Sequence, residues 1–209
     1  RRAQKAADEG WFDEEMIPIN VKGRKGEVTK VTEDEEIRRV KFDKLSGLRP
    51  VFDKQGSVTA ANASSINDGA AALLLMSEEK AEALGLTPLA RITGQASAAK
   101  EPEWFTTAPS DAIPKALQRA GYTKEDVDLF EINEAFSVVS VANNRLLGLD
   151  PEKVDIHGGA VSMGHPIGCS GARILVTLIH ALRRTGGTKG CAGICNGGGG
   201  ASALTLELI

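Results

Sequence analysis

Aromatic residues are scarce in this sequence, at 4% of its 209 residues, so any core must be built from Ala, Val, Ile and Leu. Cysteine is scarcer still. Cys169, Cys191 and Cys195 are an odd count without dense spacing, which does not suggest a disulfide framework and suits a reducing compartment. No Cys/His spacing resembles a zinc site. The longest apolar run, around residues 173–182, is too short to span a bilayer. No signal-peptide pattern is present. Neither sign of charge dominates: a formal net charge of -3 argues against bulk binding to nucleic acid or an acidic membrane. Two basic clusters remain, Lys22, Arg24 and Lys25, then Arg38, Arg39 and Lys41. Each reads as solvated surface or, more sharply, as a docking patch for a phosphorylated ligand.

What is present falls into two parts. Residues 1–10 read as the tail of an Ala- and Lys-rich helix that opens without Met, which suggests a fragment or a trimmed chain. Residues 11–53 are charged and broken by Pro and Gly, with short strands expected at 17–21 and 27–31. From Ser57 the character changes. A strand is expected at 57–61 and a polar turn at 62–68. The apolar run 69–76 suits a strand buried on both faces, or else a helix. Ser77 caps the helix that follows, with Glu78 and Glu79 in its first turn and Gly85 behind it. Strands at 89–95, 127–132, 154–157, 191–195 and 201–208 then alternate with helices at 110–120, 135–147 and 170–184. This spacing predicts an α/β layered fold. Its sheet is mixed, mostly parallel and five-stranded, with helices on both faces and an antiparallel last strand.

The segments Gly69–Met76 (GAAALLLM) and Gly200–Glu207 (GASALTLE) repeat one another. The second has its companion strands upstream in this chain and the first does not. A lone buried strand cannot satisfy its backbone groups, so it needs a partner that this chain does not supply.

Three loops, each after an expected strand, carry candidate chemistry. In the first, Asn133 is either a helix cap or an amide that orients water or an oxyanion. Glu134 beside it is a first-turn carboxylate. In the second, His165 stands between Gly164, which permits close backbone approach, and Pro166, which fixes the chain. His157 and His180 have no such setting. In the third, Cys195 ends a strand before four glycines. It is either a buried inert thiol or a proton shuttle beside backbone N–H donors that suit an oxyanion. Cys191 reads as core.

Taken together, Asn133-Glu134-Ala135-Phe136, Gly158-Gly159-Ala160 through Gly164-His165-Pro166 to Gly168-Cys169-Ser170-Gly171, and Cys195-Asn196-Gly197-Gly198-Gly199 resemble the three C-terminal motifs of thiolases, in the same order. Asn62-Ala63-Ser64 and Asn67-Asp68-Gly69 are similar to the segment entering the last strand of the first core domain. Cys195-Asn196 with its glycines, and residues 59–64, look most like the acetoacetyl-CoA type.

The resemblance implies that 1–64 ends a loop domain, 65–86 is the last strand and helix of the N-terminal core domain, and 87–209 is the C-terminal core domain. It implies an acyltransferase condensing two acetyl-CoA to acetoacetyl-CoA and CoA, or the reverse, within lipid metabolism such as the mevalonate pathway. The nucleophilic Cys lies upstream in a missing N-terminal half, and the isolated chain is expected to be inactive. His165 activates that Cys, Asn133 positions a water, Cys195 moves the α-proton, and the Gly197 N–H assists an oxyanion. Ser64, Ala63, Phe105, Phe136 and Met163 contact substrate. Coenzyme A is substrate and product, and no cofactor is required, although some members bind potassium near the positions of Ala60, Ala61, Ala63 and Val161. A homodimer or homotetramer in the cytoplasm, or alternatively the mitochondrion, is expected, with no nucleic-acid or membrane partner. Alternatives are a 3-ketoacyl-CoA thiolase of broader chain length and a non-catalytic acyl-CoA-binding fragment. A ketoacyl synthase is disfavoured because Cys195 stands where a second His would be.

Overall fold

The computed structural model describes all of residues 1–209. In chain order it has α1 (Arg2–Asp8), β1 (Ile19–Lys22), β2 (Val28–Val31), α2 (Glu36–Arg39), α3 (Glu78–Ala83), β3 (Ala90–Ala99), α4 (Pro109–Ala120), β4 (Leu129–Ile132), α5 (Ser137–Leu147), α6 (Ala160–Met163), α7 (Ser170–Thr185), β5 (Lys189–Cys195) and β6 (Gly200–Leu208).

The sheet order is β3-β6-β5-β4. β6 pairs antiparallel with both β3 and β5, and β4 pairs parallel with β5. The layered α/β class and the mixed sheet are therefore as expected, but the sheet has four strands rather than five and antiparallel pairs prevail. Two physical reasons account for this. The long last strand sits in the middle of the sheet and not at its edge. The expected strand at 154–157 shrinks to one parallel bridge between Val154 and Phe130, because Asp155 takes a left-handed φ of 48° and ends the extended run.

Alternation along the strands separates two cores. Phe130, Ile132, Cys191 and Cys195 face α4, where Ala112, Ile113, Ala116 and Leu117 meet them. Leu129, Ala192 and Leu206 face α7 and its Ile174, Leu178 and Leu182. Helices thus cover both faces. Close approach is built in: a Cβ on Gly190 would lie 2.9 Å from Leu178.

The first 86 residues are different. Their one compact cluster is Ala3, Ala6, Phe12 and Ile37. The hairpin β1–β2 is exposed along its whole length. Residues 57–61 form no strand: the Asn62 side chain bonds Thr59 N and Ser57 O and closes a turn there instead. Residues 69–76 belong to no helix or strand, and Leu74 is 82% exposed. The apolar run thus lacks a strand partner within this chain. No helix is long and apolar enough to cross a membrane.

Candidate active site

β4 delivers Asn133 to the sheet edge. Its backbone N–H donates to Gly193 O at 2.9 Å, continuing the parallel ladder, and its side chain is buried. Asn133 is not a helix cap, since α5 starts after Phe136 with no side-chain cap. Its Nδ2 instead lies 3.4 Å from His165 Nε2. Its Oδ1 is buried with no partner. A buried acceptor left open is costly, about 1–3 kcal/mol, unless a ligand or water fills it.

His165 follows Gly164, whose φ is 94° and whose missing Cβ leaves room for the Asn67 side chain. The His165 N–H donates to Ser65 O at 2.9 Å, next to a parallel bridge between Ile66 and His165. The Nδ1 of His165 is 2.6 Å from Ser170 Oγ. Burial, helped by the positive charge of Arg173, lowers the imidazole's pKa, so the ring is neutral and can act as a base.

The segment at 62–66 is a second clamp. Ala63 bridges Phe136, and Ser137 N donates to Asn62 O. Ser64 donates to Ala135 O twice, from N at 3.1 Å and from Oγ at 2.8 Å. One short strip of the first region therefore fixes both the Asn133 loop and the His165 loop.

Cys195 ends β5 at the same edge. Burial pushes its thiol up to about 11, and a backbone hydrogen bond offsets part of that. Its side chain belongs to the α4-side core, whereas alternation from Ile132 turns Asn133 toward α7. No hydrogen bond joins the thiol to Asn133 or His165. A substrate touching all three must therefore lie beyond the strand ends, not on one face of the sheet. Past Cys195 the loop turns at Gly198 and Gly199, with φ of 92° and 97°. A Cβ on Gly199 would collide with Lys100 O. Gly197 is exposed, has open space around its Cα, and its N–H has no acceptor.

Phe105 and Phe136 are half-buried and pack against the core that holds Cys195. Met163 ends α6 and is partly buried against the small cluster of Ala3 and Phe12. A hollow of about 490 Å³ beside the His165 loop is lined by Asn67, Gly69, Pro166, Gly168 and Cys169, but not by Cys195. For the potassium positions, Ala63 is engaged with Phe136, and the Val161 N–H donates to Glu134 at 3.3 Å. Neither contact gathers carbonyl oxygens around a point. Of the basic clusters, Arg38 pairs with Asp8 and Glu33, and Arg39 with Glu35 and Glu36, as a solvated face would. His157 is buried and accepts from Arg184 at 2.9 Å. His180 lies on α7 beside Glu14.

Sequence reasoning missed the layer behind the site. Ser170 supports the histidine, five residues on. Asp155 accepts from Ile132 N at 2.8 Å and from Ser140 at 3.1 Å, and so holds the end of β4. Burial and the nearby Glu134 raise the Asp155 pKa to about 8. Glu131 is wholly buried, 3.7 Å from Arg173 on α7. Burial and the Asp155 carboxylate push its pKa up well beyond the usual range. The only signal was a carboxylate inside an apolar strand.

Comparison with known proteins gives a consistent picture. The family model described as "Thiolase, C-terminal domain" matches residues 86–208, and "Thiolase, N-terminal domain" matches residues 1–79. The acetyl-CoA acetyltransferase of Schizosaccharomyces pombe is 54% identical over all of this chain and 53% of its own length. Acetyl-CoA acetyltransferase 2 of Arabidopsis thaliana is 56% identical over 98% of this chain and 51% of its own length. The chain thus spans about half the length of the curated relatives it matches. The crystal structure of the Bacillus anthracis acetyl-CoA acetyltransferase superposes with a TM-score of 0.96 at 48% identity, covering 100% of this chain and 53% of that one.

Proposed function

This chain belongs to the thiolase family, and from that membership we propose that it forms the C-terminal half of an acetyl-CoA C-acetyltransferase. The whole enzyme would condense two acetyl-CoA into acetoacetyl-CoA and CoA, and run the reverse thiolysis. The observation that carries the reading is His165 held 3.4 Å from Asn133, whose buried Oδ1 has no partner, at the strand edge where Cys195 and the free Gly197 N–H also lie.

The division of the chain follows the same reading. Residues 1–64 end the loop domain, 65–86 complete the N-terminal core domain, and 87–209 form the C-terminal core domain. The nucleophilic Cys comes from the N-terminal half. That half also covers the exposed run at 69–76. His165 Nε2 takes the nucleophile's proton, and the resulting thiolate attacks the acetyl-CoA carbonyl. The Cys195 thiol, kept protonated by burial, gives its proton to the departing CoA thiolate. It is then itself the thiolate that removes the α-proton of the second acetyl-CoA. The enolate carbon attacks the acetyl-enzyme carbonyl, the C–S bond to the nucleophile breaks, acetoacetyl-CoA leaves, and His165 returns its proton to the nucleophile's thiolate. The enolate and acyl oxygens develop charge beside His165 and the water held by Asn133, and beside the Gly197 N–H. Ser64 and Ala63 line the thioester's approach, with the exposed part of Met163 on its far side, and Phe105 and Phe136 keep the acyl pocket short.

Coenzyme A is the only carrier the chemistry needs. The free thiols suit a reducing compartment such as the cytoplasm. The enzyme is proposed to be a homodimer or homotetramer, to be measured by light scattering.

The test is thiolysis by the full-length protein, with acetoacetyl-CoA and longer 3-ketoacyl-CoA substrates compared. Fast cleavage of the longer substrates would favour the broad-range reading, and no cleavage of any would reject both. Cys195→Ala is expected to block condensation yet leave acyl transfer to the nucleophile partly intact. Equal loss of both steps would count against the assigned role.

A further inference from the structure

We propose that Ser170 is a positioning residue that decides which nitrogen of His165 carries the proton; this rests on the thiolase reading above and deepens it. Ser170 is buried at the first position of α7. Its Oγ lies 2.6 Å from His165 Nδ1 and 3.1 Å from the Pro166 carbonyl oxygen. A serine hydroxyl has one proton, and a carbonyl oxygen can only accept. The contact with Pro166 is a hydrogen bond only if the hydroxyl proton points there. Oγ then offers the ring a lone pair, so Nδ1 is the N–H. A neutral imidazole has one N–H, and Nε2 is left bare.

The other side of the ring agrees. The Asn133 Nδ2, a donor, faces Nε2 at 3.4 Å. In the opposite arrangement Nε2 is protonated and Ser170 donates to Nδ1. That would set lone pair against lone pair between Ser170 and Pro166. It would also set donor against donor between Asn133 and His165, unless the amide turned over. The proton positions follow from these partner chemistries.

The consequence is functional. Nε2 must be bare to accept the nucleophile's proton, and once protonated it is the donor nearest Asn133 and the developing oxyanion. Both uses need the same nitrogen. Ser170 is fixed by Pro166 and by the start of α7, so it selects that nitrogen before substrate arrives. In the imidazolium the Nδ1–H···Oγ bond becomes charge-assisted and stronger, so the same contact favours the charged intermediate.

The experiment uses full-length protein labelled with 15N-histidine, with the His165 signals assigned by loss in His165→Asn. Long-range 1H–15N correlation, above the pH at which His165 titrates, is expected to show Nδ1 protonated and Nε2 bare. Ser170→Ala is expected to mix the tautomers and lower kcat for thiolysis about 10–100-fold, the range found when the partner that orients a metal-bound imidazole is removed. KM for CoA should change little. The acid limb of kcat/KM should move to lower pH, because the imidazolium loses more than the neutral ring. Ser170→Thr keeps the hydroxyl and should recover most of the rate and the single tautomer.

A protonated Nε2 in the wild type would overturn the proposal. So would a folded Ser170→Ala with unchanged tautomer and kcat. If Ser170→Ala does not fold, the wild-type spectrum and Ser170→Thr decide. A wild type with bare Nε2 but no cleavage of acetoacetyl-CoA would sink the thiolase activity and leave the role of Ser170 standing.

Discussion

Residues 87–209 and residues 1–86 are built on opposite principles. The first carries two cores, one on each face of a paired sheet, with Leu178, Leu182 and Ile132 wholly buried. The second buries one small cluster and leaves Leu74, Leu75 and the hairpin valines open. Yet the more sparsely packed region contributes to the site, because residues 62–66 clamp the Asn133 and His165 loops. Stability and positioning are thus separable here: the helices and sheet of the C-terminal core carry the fold, while a strip from the other region sets the geometry of the reactive groups.

The largest test of this comparison falls at the seam. His165→Ala in full-length protein should lower kcat/KM about 100–10,000-fold, the range for losing a positioned base, with little change in the unfolding midpoint. A large loss of stability instead would mean that the seam supports the fold as well as the site.

Next comes a pair of matched deletions. Leu178→Ala should cost about 2–5 kcal/mol by denaturant titration, because it empties a wholly buried site under β5. Leu74→Ala should change the stability of the 209-residue chain by less than about 0.5 kcal/mol. In the full-length protein, where the N-terminal half is proposed to cover it, the cost should rise toward the Leu178 value. Equal and small effects of Leu74→Ala in both forms would break the proposed pairing of 69–76.

A smaller effect concerns charge. Burial raises the Glu15 pKa to about 7 from an ordinary 4.5, against a hydrogen bond from Thr177. Between those values the folded chain holds a proton that the unfolded chain has released. Stability from this group is therefore present below pH 4.5 and lost as pH rises to about 7. Glu15→Gln should remove that loss and raise stability at pH 8 by about 1 kcal/mol relative to wild type, allowing for partial exposure. Unfolding midpoints at pH 5 and pH 8 check the sign. His157 acts in the opposite direction. Burial first, with Arg184 adding to it, lowers its pKa to about 4 from 6.5, so its contribution is lost as pH falls through that window.

The smallest expected effect is Val28→Ala on the exposed hairpin, within about 0.5 kcal/mol in this chain. A larger value would show that the hairpin is covered, and would weaken the contrast between the regions.

The sequence by itself determined the alternation of helices and strands in residues 87–209 apart from the strand expected at 154–157, the capping of α3 by Ser77 and its end at Gly85, and the repeat that left residues 69–76 without a partner. These features are local: periodicity, capping chemistry and glycine placement act over a few residues. It also marked Asn133 and Cys195, because a polar or reactive group at the end of an apolar strand is out of place in a plain core, and His165, because its glycine and proline neighbours are costly in an ordinary turn. Only the tertiary structure decided that β6 lies between β3 and β5, since strand order is set by long-range pairing that no local pattern records. The same holds for the side-chain partners. Asn133 proves an imidazole partner and not a cap, Ser170 comes to rest on Nδ1, and the Cys195 side chain joins the α4-side core. Each of these depends on how separate segments approach in space, where the directions of hydrogen bonds and the closeness of packing are fixed.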